Sequence, residues 1–368
     1  MMRGLLALVA TLLTLAALQL GRPVMLPLVT GLMIAALAWP LFQWLQREIP
    51  RALALLVTIL AVTAVLLTIL GAIGWSAVAV ASDLRKRSDR IASLHQQASA
   101  VAERFGLDLP PLGSGGEKPD SSTAGAKRST GEQTAAPVTA GEGGGSRLAN
   151  RVGVGIYTML GYLGLAVGFA ALILAELRDA RHRIRLRFEA AQADRIIGIT
   201  SEVADSIRRY FKVKSITSGI AGVATGLLAL IFGIKFVAVW ALLAFLFEYV
   251  PTIGSILAVV PPVAYAFIQF DGVAKPFAAL GVFMVVQLFL GNYVDPRLEG
   301  RLLSISPLVV LLAIVFWAWM WGAPGSLLGI PFVVAVTVVT RHFASTRWVW
   351  AILTEPDAKE AEDAPRHS

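Results

Sequence analysis

The sequence predicts an all-α polytopic membrane protein with about 8–10 membrane segments, including broken or re-entrant helical hairpins, plus a basic amphipathic surface helix. Three observations predict it. Of the 368 residues, 56% are hydrophobic and only 15% charged, whereas ordinary globular domains carry about a quarter charged residues. Apolar runs of roughly 18 or more residues recur along the chain, each long enough to cross a hydrocarbon core of about 30 Å. Within those runs, proline and glycine fall where a helix must break, above all in 245–262, FLFEYVPTIGSILAVVPP.

Charge and composition exclude several function classes. The net charge of +8 comes from Lys and Arg clustered beside the apolar runs. There they set topology and touch anionic headgroups, so nucleic acid is not an expected partner. Cysteine is absent, which removes disulfides, thiol chemistry and cysteine metal sites. His95, His182, His342 and His367 lie outside the strongly apolar runs, so no intramembrane metal cluster is expected. No Walker-type Gly-x-x-x-x-Gly-Lys-Ser/Thr is present, hence no ATPase within the chain. No nucleophile–base pair falls at membrane depth, so the chain reads as a non-enzyme without a cofactor.

Residues 1–82 read as three transmembrane helices. The first, 4–20, is taken as a retained helix rather than a cleaved signal, because its apolar run continues almost directly into a second span. A tight turn at Gly21-Arg22-Pro23 separates it from span 24–45, where Trp39 and Trp44 suit an interface belt. The third run, 52–82, is longer than one crossing needs, so that helix must tilt or extend out of the bilayer. From 83 to 109, Leu84, Ile91, Ala98 and Phe105 repeat every seven residues, which predicts an amphipathic extramembrane helix. Residues 110–147 are rich in Gly, Ser, Pro and Thr and bury too little apolar surface to order, so a disordered linker is expected.

A fourth span lies within 148–178, with Gly153, Gly155, Gly161, Gly164 and Gly168 expected to permit close helix contact. The basic segment 179–214 follows. Between Arg178 and Lys214 there are ten Lys/Arg against five Asp/Glu, and Ile196, Ile199, Val203, Ile207 and Tyr210 share one helical face. That pattern predicts a cytoplasmic helix lying along the membrane surface. The remaining membrane core is 215–343, with a cytoplasmic tail at 344–368. Placing the basic segment inside makes both termini cytoplasmic, with Arg297, Arg301, Arg341 and Arg347 inside as well. Against it stand Arg85, Lys86, Arg87 and Arg90, which then face outward at the start of a long loop.

The residues that invite function lie in the last third of the chain. Glu248 is a carboxylate in an apolar run, at a cost of about 2.5–3.5 kcal/mol on insertion scales. It either lines an ion or solute path, or sits near the helix end, snorkelling to water or pairing with Arg297 or Arg301 as a structural lock. Beside it, Tyr249, Pro251, Gly254, Ser255 and Pro261 form the break, in which Pro removes a donor and Gly permits unusual backbone angles. The second constellation runs from Gln287 and Asn292 through Asp295, Arg297, Glu299 and Arg301. It reads either as a solvated loop or as a gate facing the cavity. Finally, 234–257 aligns without gaps on 305–328, matching Val239 with Val310, Phe245 with Phe316, Gly254 with Gly325 and Ser255 with Ser326. Three crossings lie between the copies, so they would run in opposite directions, as in transporters built from inverted repeats. Gly325 and Pro331 would then mark a second break.

These motifs resemble the autoinducer-2 exporter family of bacterial membrane proteins, the PerM-like permeases. The likeness rests on EYVPTIGS at 248–255, AVVPP at 258–262, GNYVDPR at 291–297, SPLVVLL at 306–312 and FWAWMWG at 316–322. It is specific over 215–340 and architectural upstream. It implies a bacterial inner-membrane, homo-oligomeric exporter of small signalling or metabolite molecules. For some members it implies cation/proton antiport. Relatives that handle autoinducer-2 tend to carry Asn where this chain has Glu248, whereas others have Glu, and Asp295 stands where Glu is usual. An uncharged residue is common where Glu299 stands. The leading reading is thus an exporter of a small polar solute. One rival is a sodium or other cation/proton antiporter using Glu248 and Asp295. Another, of a different class, is a membrane scaffold that binds partners through 83–107 and 178–214.

Overall fold

The computed structural model describes residues 2–87, 144–250, 253–299 and 305–354, with isolated positions between 90 and 99. The linker expected at 110–147 falls almost entirely outside the described residues, as do most of 83–109 and the tail beyond Thr354. In chain order the helices are α1 (Met2–Leu20), α2 (Arg22–Glu48), α3 (Arg51–Lys86), α4 (Gly144–Arg187), α5 (Ala190–Phe232), α6 (Val237–Phe247), α7 (Ile253–Gln269) and α8 (Ala274–Phe289). A π-helical turn, Leu290–Val294, leads into α9 (Asp295–Glu299), and then come α10 (Pro307–Trp321), α11 (Ala323–Arg341) and α12 (Arg347–Leu353). Among the described residues, six helices are long and apolar enough to cross a membrane, and three shorter apolar helices accompany them. This is an all-α polytopic membrane protein.

Large aliphatic side chains stand outward along the long helices, including Leu60, Val65, Leu172 and Ile231, all more than half exposed. Such a surface is a liability in water and the expected face toward lipid. Inside, Phe42, Ala54, Ala170 and Leu174 knit α2, α3 and α4 together. Trp240, Tyr265, Ala279 and Phe283 do the same for α6, α7 and α8.

Several elements differ from the sequence-based expectation. The break at Gly21 is a single residue in right-handed helical space (φ −75°). Gly21 N–H still donates to Ala17 O and Met25 N–H to Gly21 O, both at 2.8 Å. The third helix does extend, since its 36 residues measure about 54 Å at 1.5 Å per residue. The basic amphipathic segment is helical, but its larger part is continuous with the following span: α5 runs 43 residues without a break at Lys214. Ile199, Ile207 and Tyr210 are buried in the protein, because α2 and α11 cover that face. Arg208 Nε donates to Ala36 O at 2.9 Å, and Arg341 binds Glu202.

The glycines of α4 are a correction. A Cβ added at Gly153, Gly155, Gly161, Gly164 or Gly168 would meet nothing within 4 Å. The close approach is made instead by Gly31 of α2, where a Cβ would lie 2.6 Å from Ala166 O of α4. The smallest residue sits where two backbones meet.

Candidate functional site

Two helical hairpins organise the last third of the chain. α6 has 11 residues and α10 has 15, about 17 and 23 Å long at 1.5 Å per residue, short of a 30 Å core. Each turns back into a longer helix, α6 into α7 and α10 into α11.

Gly254 at the first turn and Gly325 at the second occupy equivalent positions. A Cβ at Gly254 would lie 2.0 Å from Phe247 O, and one at Gly325 would lie 2.1 Å from Trp317 O. No side chain fits in either place, so the tight turns need glycine. The hairpins also point in opposite directions along α5. The base of α6–α7 lies beside the C-terminal end of α5, where Gln269 accepts from Lys235 N–H at 2.8 Å and donates to Gly233 O at 2.6 Å. The base of α10–α11 lies at the N-terminal part of α5, where Arg195 donates to His342 O and Glu202 meets Arg341 and His342.

At the tip of the first hairpin, Glu248 caps α6. It is 4% exposed, the one carboxylate among the described residues that is buried. Gln287 of α8, also buried, donates from Nε2 to Glu248 Oε2 at 3.0 Å. The neighbouring Tyr249 hydroxyl shares a 2.8 Å hydrogen bond with Ser215 Oγ of α5, and its ring packs edge-on against Phe245. Glu248 is therefore buried within the protein and held by a hydrogen-bond donor. A carboxylate taken out of water needs such donors.

α5 brings further polar groups to this layer. Lys214 is 2% exposed and sits one residue before Ser215; Thr217 and Ser218 are buried in the next turn. Ser218 Oγ has no hydrogen-bond partner among the described residues. Lys214, Ser218, Gly222 and Gly226 recur every four residues, which puts them on one face. At Gly222 and Gly226 that face meets α6, with Ala241 O 2.8 Å from a Cβ at Gly222. Sequence reasoning missed Lys214 and Ser218. The period-four stripe was the available signal, but Lys214 also ends a run of surface cations.

Directly after Gln287 the helix widens into the π turn Leu290–Val294. Such turns misalign the backbone ladder and are frequent at functional sites. The expected gate residues on it disperse. Asn292 is exposed and donates to Leu288 O at 2.8 Å. Arg297 is exposed, with its guanidinium 5.8 Å from the Tyr293 ring, and Asp295 is half-buried at the start of α9. Pro251 and Arg301 lie outside the described residues, as does the placement of the Glu299 side chain. Ser255 is half-buried, whereas Gly325 and Pro331 are buried at the second break. Pro261 lies elsewhere. It lines a cavity of about 440 Å³ between α3 and the first hairpin, with Ile73, Ser76, Trp240 and Tyr265.

A polar latch fixes the base of the first hairpin and takes up two of the basic residues that follow Asp83. Asp83 accepts from Tyr265 OH at 2.6 Å and Arg87 Nε at 2.8 Å, with Lys235 Nζ 3.8 Å away. Arg87 and Arg90 donate to the carbonyls of Gln269, Phe270 and Asp271. Two of the four outlying cations thus close carbonyls at a helix end.

Two helical hairpins, one of them beside a buried polar layer, define a polytopic α-helical membrane protein with interrupted helices. Residues 5–345 match the AI-2E family of transporters, and the chain belongs to that family. It is 32% identical over 171 residues to the AI-2 transport protein TqsA of Escherichia coli K12, covering 46% of this chain and 49% of that protein. The chain thus spans about half the length of that relative. A putative transport protein of Haemophilus influenzae is 24% identical over 94% of both chains. The putative transport protein YrrI of Bacillus subtilis is 23% identical over 89% of this chain and 88% of its own.

Proposed function

We propose that the chain carries a small polar solute, autoinducer-2 or a metabolite like it, out of a bacterial cell across the inner membrane. The path runs past the break between α6 and α7. The observation that carries this reading is the Glu248–Gln287 hydrogen bond, a buried carboxylate held at the tip of a broken hairpin. The Ser218 hydroxyl, buried and without a partner among the described residues, supplies a polar group of the kind that a passing solute or water would satisfy. In this reading both termini are cytoplasmic and the protein works as a homo-oligomer.

The same buried carboxylate favours a second reading, cation/proton antiport with Glu248 as the titrating group. Flux in proteoliposomes separates the two. Efflux of autoinducer-2 that is indifferent to proton and sodium gradients, and that continues at an altered rate in Glu248→Gln, supports solute export without coupling. Sodium movement that follows an imposed proton gradient and is lost in Glu248→Gln supports antiport. Flux of neither above empty liposomes would refute both.

A further inference from the structure

A second cavity, lined by charged and polar side chains, lies where the end of α2 and the start of α3 meet α4. Its volume is about 210 Å³, and it is lined by Arg51, Arg178, Arg181, Gln43, Gln46 and Trp39, with Phe42 behind them. Arg51 is fixed in place, donating to Ala175 O and standing 3.7 Å from Asp179. The Arg181 guanidinium lies 5.3 Å from the Trp39 ring centroid. Three guanidiniums thus converge on one small space, with Asp179 as the carboxylate beside them. Neither Arg178 nor Arg181 makes an ion pair among the described residues.

The position in the bilayer narrows what can enter. Immediately below the cavity lies the apolar cluster of Phe42, Leu45, Ala54 and Leu174. Trp44, one turn along α2, is 62% exposed, and Trp39 lines the cavity itself. Tryptophans at the end of an apolar helix mark headgroup depth. A planar, permanently charged guanidinium recognises phosphate through paired N–H donors. An opening at headgroup depth that holds three of them, above lipid-facing apolar helices, matches the phosphate of an anionic lipid whose acyl chains run down the outside of α2 and α4.

We propose that Arg51, Arg178 and Arg181, with Gln43, Gln46 and Trp39, form a site for the phosphate headgroup of an anionic phospholipid. The bound lipid fastens the α2–α3 turn to α4. The site is independent of the transport path, so its occupancy alters the stability and lipid preference of the protein without touching the Glu248 layer.

The test uses the full chain purified in a neutral detergent. Phosphatidylglycerol, phosphatidylcholine or inorganic phosphate is added, and binding is read by native mass spectrometry and by the melting temperature. Phosphatidylglycerol is expected to bind and raise the melting temperature, and phosphatidylcholine at equal concentration is not. Arg178→Gln and Arg181→Gln should each weaken phosphatidylglycerol binding by about fivefold, and the double variant by more. Arg185→Gln, on an arginine outside the cavity, should leave binding unchanged. If the double variant is not monodisperse, the single variants decide. Equal binding of the two lipids, or phosphatidylglycerol affinity unchanged in both single variants, would overturn the proposal. Stabilisation by inorganic phosphate equal to that by phosphatidylglycerol would also overturn it, in favour of a soluble anion site.

Discussion

Gln287 Nε2 donates to Glu248 Oε2 at 3.0 Å, joining a helix long and apolar enough to cross a membrane to the tip of a hairpin of shorter apolar helices. Both side chains are buried, so the bond acts in a low-dielectric setting where an unmet carboxylate is costly. Replacing Gln287 with Leu should destabilise the protein by about 1.5–3 kcal/mol, the usual worth of a hydrogen bond to a charged group. Glu248→Gln keeps a partner for Gln287 and should melt within a few degrees of the parent. Thermal denaturation in one detergent checks both. A Gln287→Leu variant as stable as the parent would mean that the bond holds nothing.

The two hairpin turns should be equally intolerant of any side chain. Gly254→Ala and Gly325→Ala force a Cβ into Phe247 O and Trp317 O, at a cost of about 1–3 kcal/mol each for overpacking. Gly219 and Gly281 have nothing within 4 Å, and alanine there should be neutral or slightly stabilising in mid-helix. Fluorescence-detected size exclusion after heating ranks the four variants in one experiment.

Tyr249 ties the hairpin tip to α5 through Ser215, at 2.8 Å. Tyr249→Phe and Ser215→Ala should each cost about 0.5–1.5 kcal/mol, and the double variant little more than either alone. Additive losses in this cycle would show that the two hydroxyls do not interact in the folded protein.

The latch at the other end predicts a local effect. Asp83→Asn removes the charge that Arg87 and Lys235 face, which should loosen the hairpin base without unfolding the core. Hydrogen exchange should then speed up at Gly233–Val237 and Phe267–Gly272 while staying slow around Phe283 of α8, buried in the cluster that packs against the same hairpin. Uniform acceleration in both places would point to global destabilisation instead.

Much of the fold was legible because apolar length and charge placement are read directly by the bilayer. The hairpin pair was legible too, since Gly254 and Gly325 fall at matched positions where a turn admits no Cβ. Glu248 stood out as a carboxylate in an apolar run, but its partner did not. Gln287 lies 39 residues away, and no local spacing rule joins them. The glycines of α4 misled because a small residue permits contact without requiring it, and the neighbouring helix uses Gly31 instead. The apparent boundary at Lys214 is a change in surroundings, from a basic surround to an apolar one, along one unbroken helix. Arg87 and Arg90 donate to carbonyls at the end of α7 and just beyond it, a tertiary contact that sequence periodicity does not contain.

The measurement that bears most directly on the proposed path is solute efflux from proteoliposomes containing the parent, Glu248→Gln, Gln287→Leu or Arg185→Gln proteins at matched reconstitution. If solute passes the Glu248–Gln287 layer, Gln287→Leu should lower the rate by about tenfold or more. Glu248→Gln should change the rate or its pH dependence, and Arg185→Gln should match the parent. Parent-like efflux with the same pH profile in both folded variants of the buried pair would contradict a path through the α6–α7 break.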